Sequence, residues 1–199
     1  MLKVQEKIER GCCLIASPWV PMDPHFQRTV ILITDHEDDL GTSGIVLNRS
    51  FPEDLQREMS ETICGKVMQS HFLSGGPVGL DQAFCLIDSS VAGIRSEMIP
   101  KGEELFEGVF QPLIFDDVLD GLSKNSLPED RVHFFRGFAG WESGQLQSEL
   151  NEQVWINVKG QGVSLLSGDR EKLWGRMLCE LSEPEYRVWS QWPLESRVN

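Results

Sequence analysis

Nowhere in this chain do about 18 apolar residues run together, the length a membrane-spanning helix needs. The first residues, "MLKVQEKIER", alternate charge with single apolar positions and lack the unbroken apolar core of a secretory signal. A cytoplasmic protein without a membrane role is therefore expected. Disulfide chemistry is also missing. The five cysteines are an odd number, with Cys12 and Cys13 adjacent, Cys64, Cys85 and Cys179 far apart, and no C-x-x-C pair. Neighbouring residues of a strand point to opposite faces, so Cys12 and Cys13 are poorly placed to share a metal and are read as core or near-core residues. Positive charge is scarce, with 18 Lys and Arg against 31 Asp and Glu and a net charge of −13. Such a field repels a phosphate backbone and disfavours direct nucleic-acid binding. The densest basic cluster, Arg170, Lys172 and Arg176, shares its segment with Glu171 and Glu180 and reads as a solvated, salt-paired helix face.

Common catalytic signatures are absent as well. There is no Walker pattern, no G-x-G-x-x-G and no H-E-x-x-H, and "GTSGIV" has Ile45 where a nucleophile elbow needs glycine. The four histidines, His25, His36, His71 and His133, are not paired by sequence with any nucleophile. "DHEDD", Asp35 to Asp39, holds four carboxylates and an imidazole but lacks the alternate ligand spacing of a calcium loop. It reads as a solvated hairpin loop, with His36 the residue to watch. No catalytic residue, metal or cofactor is assigned.

What is present suits a globular fold: 199 residues, 40% of them hydrophobic, with no repeat or low-complexity linker, predict one domain over 1–199. "GCCLIASPWV" and "RTVILITD" read as strands, and the second pairs with "IVLNRS" in a hairpin with a long loop. "SFPEDLQREMSETI" has capping-box spacing from Ser50 to Glu53 and apolar residues at Leu55, Met59 and Ile63, which predicts a helix. "HFLSGGPVG" predicts a strand followed by a glycine turn, and "QAFCLID", "EELFEGVF", "RVHFFRGF" and "VWINVKG" predict further strands. "FDDVLDGLSK" predicts a short helix, "GQLQSELNEQ" one of about three turns, and "SGDREKLWGRMLCELS" one that packs on the sheet. In the last segment Trp189 and Trp192 look exposed. Strands outnumber helices without strict alternation, so the class is α+β with a mixed sheet.

Two stretches admit two readings each. The glycines of "LSGGPV" form either a tight turn, the favoured reading, or an anion-binding nest of amides. In "RGFAGWESGQLQSELNEQVW", Gly137 and Gly140 let a strand end in a sharp bend plugged by Trp141. Alternatively Trp141, Gln145 and Glu149 line a cleft, one flat wall with two polar anchors four residues apart, suited to a small polar ligand.

The order "GCCLIASPWVPMDPHFQRTVILITDHEDDLGTSGIVLNRS", "FLSGGPVGLDQAFCLI", "GFAGWESGQLQSELNEQVW" resembles the AlgH/YqgE family of bacterial proteins over a matching core of about 11–182, with 183–199 as a tail. Residues carrying the resemblance include Pro18, Asp23, Phe26, Arg28, Thr29, Gly44, Leu47, Asn48, Arg49, Gly75, Gly76, Pro77 and Val78. They continue with Gly140, Trp141, Gly144, Gln145, Leu146, Glu149 and Trp155. Ser50, Gln82 and Asp88 stand where the family tends to have proline, arginine and histidine. The resemblance implies a mixed, bifurcated β-sheet with a small closed β-barrel surrounded by helices. It implies little about activity, beyond a label of transcriptional regulator that some members carry. The expected function is a non-enzymatic regulatory or adaptor protein. A small ligand or protein partner would bind around Arg28, Asn48, Arg49, Gly75, Gly76, Trp141, Gln145 and Glu149. The alternatives are regulation through DNA and an enzyme of unrecognised type with His36 or Glu149 as acid or base.

Overall fold

Unbroken runs of β-branched and other large apolar residues make the strands that are buried on both faces. A computed structural model describes residues 2–19, 23–51, 72–89, 98–160, 165–166 and 168–191. In it β1 (Cys12–Ala16) is buried throughout, as are the first five residues of β2 (Val30–Glu37). The other strands are β3 (Gly41–Val46), β4 (Leu73–Ser74), β5 (Val78–Asp88), β6 (Gly102–Phe106), β7 (Val109–Pro112), β8 (Val132–Trp141) and β9 (Trp155–Lys159). Among the described residues four helices accompany them: α1 (Phe115–Ser123), α2 (Gln145–Asn151), α3 (Leu173–Cys179) and α4 (Pro184–Ser190). The fold is mixed α+β.

The strands join in the order β6, β7, β5, β8, β3, β2, β1, β9, every neighbour antiparallel, and β4 adds a parallel pairing with β8. The path divides at β8. Its first half pairs with β5 through Val132 to Arg136, its end pairs with β3 through Ala139 to Trp141, and β4 lies beside Phe135 and Arg136. Successive side chains of β8 serve opposite faces. Phe135 enters the larger apolar cluster with Leu14, Ile31, Trp174 and Leu178, whereas Phe134 enters a second one with Cys85, Ile87, Val118 and Leu122 beneath α1.

The expected closed barrel is not formed, and the sheet is an open, curled half-barrel. Its curl carries β6 up to Gly11 and Gly160, but no ladder joins β6 to β9 among the described residues. The physical reason lies in the amides at the seam. Gly11 N–H is donated to the Ile33 carbonyl and Gly160 N–H to the Gly11 carbonyl, so the approach is van der Waals packing of glycine on backbone. Alongside it Arg10 pairs with Glu103 and donates to Gln111.

Other differences from the sequence reading have local causes. The β2–β3 loop is only Asp38 to Leu40, because the polar residues Asp35 to Glu37 remain in β2 and Gly41 to Gly44, read with the loop, already belong to β3. "EELFEGVF" is two strands, since Glu107 and Gly108 make a hairpin turn with Gly108 at φ +82°. β8 does not end at its glycines but runs to Trp141, and Gly137 at φ +68° sits opposite the register shift of β5 between Val78 and Ala83. α2 has two turns, stopped at Gln153 in the left-handed conformation (φ +59°). There Gln153 N–H donates to the Leu150 carbonyl and Val154 N–H to the Glu149 carbonyl, the pair of hydrogen bonds that closes a helix end. Trp189 is in α4, partly buried and edge-on to Trp19. The helix expected from Ser50, together with Cys64, His71 and Trp192, lies outside the described residues.

Candidate functional site

A tryptophan buried in an apolar setting leaves an indole N–H that needs an acceptor. Trp141 at the end of β8 and Trp155 at the start of β9 are 7% and 4% exposed, with rings 6.0 Å apart and nearly perpendicular. Both donate to one oxygen of Glu149, at 2.8 and 2.7 Å. The other oxygen accepts from Gln145 at 2.9 Å, whose own carbonyl oxygen accepts the Glu142 N–H. Charge-assisted bonds of this kind are stronger than neutral ones. They lock α2 against β8 and β9. The structure thus brings Trp141, Gln145 and Glu149 together, with their polar ends turned on one another.

A second group sits on the turn before β2. Asn48 is buried; its carboxamide accepts the Val30 N–H and donates to the Arg28 carbonyl. The Arg28 backbone is at φ +55°, and its guanidinium lies 5.3 Å over the Trp174 ring. Arg49 donates to the Gln27 carbonyl, and burial, then the nearby Arg28 charge, pushes its guanidinium below the ordinary range. Phe26, on the same turn, meets the Trp155 ring edge-on at 5.9 Å and so links this group to the first.

Gly75 and Gly76 act through their backbone. Gly75 N–H is donated to the Arg136 carbonyl and its own carbonyl accepts from Val46, while Gly76, at φ +149°, lies against the Phe138 carbonyl. The Gly75 amide is thereby committed to the sheet.

Two clefts flank α2, and Gln147 lines both. The larger, about 980 Å³, is bounded by the β2–β3 hairpin, the segment from Lys7 to Arg10, and the start of α2. Five carboxylates line it, from Glu9, Glu37, Asp38, Asp39 and Glu142, against Lys7 and Arg10. His36 belongs to this cleft. Its Nδ1 is 2.7 Å from Thr42 Oγ1 and its Nε2 3.3 Å from Asp38 Oδ1. The smaller cleft, about 570 Å³, lies between α2, the N-terminal segment and α4. Both volumes are in the range of small-molecule sites. Sequence reading singled out this stretch but not Gln147, Asn151 and Gln153, which line the smaller cleft. The available signal was Gln147 and Asn151 four apart on α2, which bond at 3.2 Å.

Arg170 corrects another expectation. It precedes α3 and is half-buried, donating to the carbonyls of Leu47 and Leu166 and to His133 Nδ1 at 2.7 Å. Lys172 keeps a surface pair with Asp169. Burial, then the Arg170 charge, lowers the His133 pKa to about 4. With Nδ1 accepting, Nε2 carries the proton, and that buried nitrogen has no hydrogen-bond partner among the described residues. The unfolded chain, whose histidine titrates near 6.5, takes up a proton first as pH falls, so stability rises with pH across this window. Acidification from about pH 6.5 to 4 is expected to remove about 2–3 kcal/mol through His133 alone. Urea unfolding of wild type and His133→Gln at several pH values checks this; parallel profiles would refute it.

Residues 13–185 match the AlgH-like family, DUF179. A UPF0301 protein of Bacteroides thetaiotaomicron is 29% identical over 187 residues, covering 92% of this chain and 88% of the relative. One from Mycobacterium avium is 30% identical over 174 residues, covering 87% and 83%. Among solved structures, an X-ray structure of a Corynebacterium diphtheriae protein superposes with TM-score 0.72 at 19% identity over 92% of each chain. The solution structure of the AlgH protein from Pseudomonas aeruginosa gives 0.65 at 24% identity, covering 92% of this chain and 93% of that one. Both structural likenesses concern the fold.

Proposed function

This chain belongs to the AlgH-like family, and we propose that it works without catalysis, as a cytoplasmic regulatory or adaptor protein that binds a small ligand or a protein partner in the clefts beside α2. The observation that carries the reading is the Glu149 carboxylate, which takes three donors from Trp141, Trp155 and Gln145 and so fixes a short helix between two clefts. A carboxylate so engaged serves as a strut, which weighs against its use as acid or base. In this reading Trp141, Gln145 and Glu149 hold the helix. Arg28, Asn48 and Arg49 hold the turn that presses Phe26 on Trp155, and Gly75 and Gly76 set the course of β8. The free thiols of Cys12, Cys13, Cys85 and Cys179 suit a reducing compartment. The five carboxylates of the larger cleft suit a partner other than nucleic acid.

A two-dimensional NMR titration of the labelled protein against pooled metabolites tests the proposal. Shifts are expected to gather on residues 142–153 and on the facing walls of one cleft. Shifts confined elsewhere, or chemical turnover of any pool member, would count against it.

A further inference from the structure

The smaller cleft combines an aromatic wall, a set of carboxamides and a rim of one charge sign. Trp19 is 39% exposed and stacks on Tyr186, with ring centroids 5.5 Å apart and planes 23° from parallel. Trp155 also lines it, and Gln5, Asn151 and Gln153 bring carboxamides, of which Asn151 Oδ1 already accepts from Gln147 and Gln5 Oε1 from Cys12 Sγ. Its charged lining residues are Glu6 and Glu185, and no Lys, Arg or His lines it among the described residues.

Two features are unexplained by folding alone. Asn157, also of the lining, is 1% exposed; its Nδ2 donates to the Lys7 carbonyl, which fixes the carboxamide orientation, yet its Oδ1 has no hydrogen-bond partner among the described residues. A buried acceptor left unpaired is costly unless something enters to satisfy it. Gln153 occupies the left-handed position at the end of α2 where glycine is the usual residue, so the chain places a carboxamide there at the expense of strain.

We infer that this cleft binds an uncharged nitrogen heteroaromatic ring of the nucleobase kind, a deepening that rests on the binding reading above. Ring faces suit stacking on Trp19, and the paired donors and acceptors of such a ring match the edges of glutamine and asparagine. A ring N–H or amino group would meet the unpaired Asn157 oxygen. The carboxylates of Glu6 and Glu185 disfavour a phosphate, which selects a free base or nucleoside over a nucleotide.

The test is a titration of the full chain with adenine, adenosine, guanosine, adenosine monophosphate and glucose, followed by the indole N–H signals in two-dimensional NMR. Saturable shifts of Trp19 and Trp155 with a base or nucleoside are expected, at least tenfold weaker with the monophosphate. Gln153→Gly, which relieves the backbone while removing the carboxamide, is expected to weaken binding at least fivefold and keep the fold. Saturation by glucose alone, tighter binding of the monophosphate, or shifts centred on His36 and Thr42 would overturn the inference while leaving the wider binding reading intact. The absence of any saturable shift up to millimolar ligand would also overturn it.

Discussion

Glu149→Ala is expected to destabilise the protein by about 3 kcal/mol, because it strands two buried indole donors at once. For a chain of this size that corresponds to a fall in Tm of about 6–12 °C. Glu149→Gln keeps one carbonyl acceptor and loses the charge, so about half the effect is expected. Gln145→Ala, which removes an exposed donor from the same carboxylate, should cost less than about 1 kcal/mol. Thermal melts followed by circular dichroism give the ranking, and the indole proton resonances of Trp141 and Trp155 report whether their bonds are lost. A Glu149→Ala protein within about 0.5 kcal/mol of wild type would show that the carboxylate is not the strut.

The second large effect concerns a glycine in the turn between β4 and β5, packed against the β8 backbone. At Gly76 a Cβ would fall inside the Phe138 peptide group, at φ +149°, so neither a rotamer change nor a side-chain shift can make room. Gly76→Ala is expected to cost more than about 4 kcal/mol, enough to deprive a marginally stable chain of its folded state. Gly144 provides the contrast. It is also left-handed, at φ +75°, but nothing lies within 4 Å of the position a Cβ would take. Gly144→Ala is therefore expected to carry only the conformational penalty, about 1–2 kcal/mol. Soluble yield and urea unfolding of the two variants separate steric exclusion from backbone preference; equal effects would refute the distinction.

These two positions also show what the sequence could and could not convey. The strands of the core were legible, since Cys12 to Ala16 and Val30 to Thr34 are apolar or β-branched without interruption and lie under both faces of the sheet. Where the β2–β3 hairpin leaves the core, burial no longer constrains side-chain type, and Asp35 to Glu37 look like a loop although they are strand. Glu107 and Gly108 hid a turn for the opposite reason, because the apolar residues on either side continue as if uninterrupted. The end of α2 gave no signal, since a glutamine fills the position usually marked by glycine. Arg170 was misjudged because local charge patterning carries no information on Leu47 and His133, which it meets from distant parts of the chain. The closed barrel came from the resemblance and required a ladder at the Gly11 seam that the committed amides do not supply.

At the candidate site the grouping was readable and its direction was not. Trp141, Gln145 and Glu149 do converge, as their spacing suggested. The orientation of their polar ends depends on Trp155, which reaches the same carboxylate from a different strand. The cleft walls of Gln147, Asn151 and Gln153 carry no motif, because a carboxamide beside an aromatic platform is ordinary helix surface until a third element folds across it.

β8 has a last consequence. Phe134 and Phe135 are consecutive, yet each is a member of a different apolar cluster. Neither cluster can open without loosening the strand that walls the other, so solvent penetration on one face is transmitted to the opposite face as a loss of support. Sharing one strand is expected to make the two cores melt in step, with the β8 amides the last to exchange in a native-state hydrogen-exchange measurement.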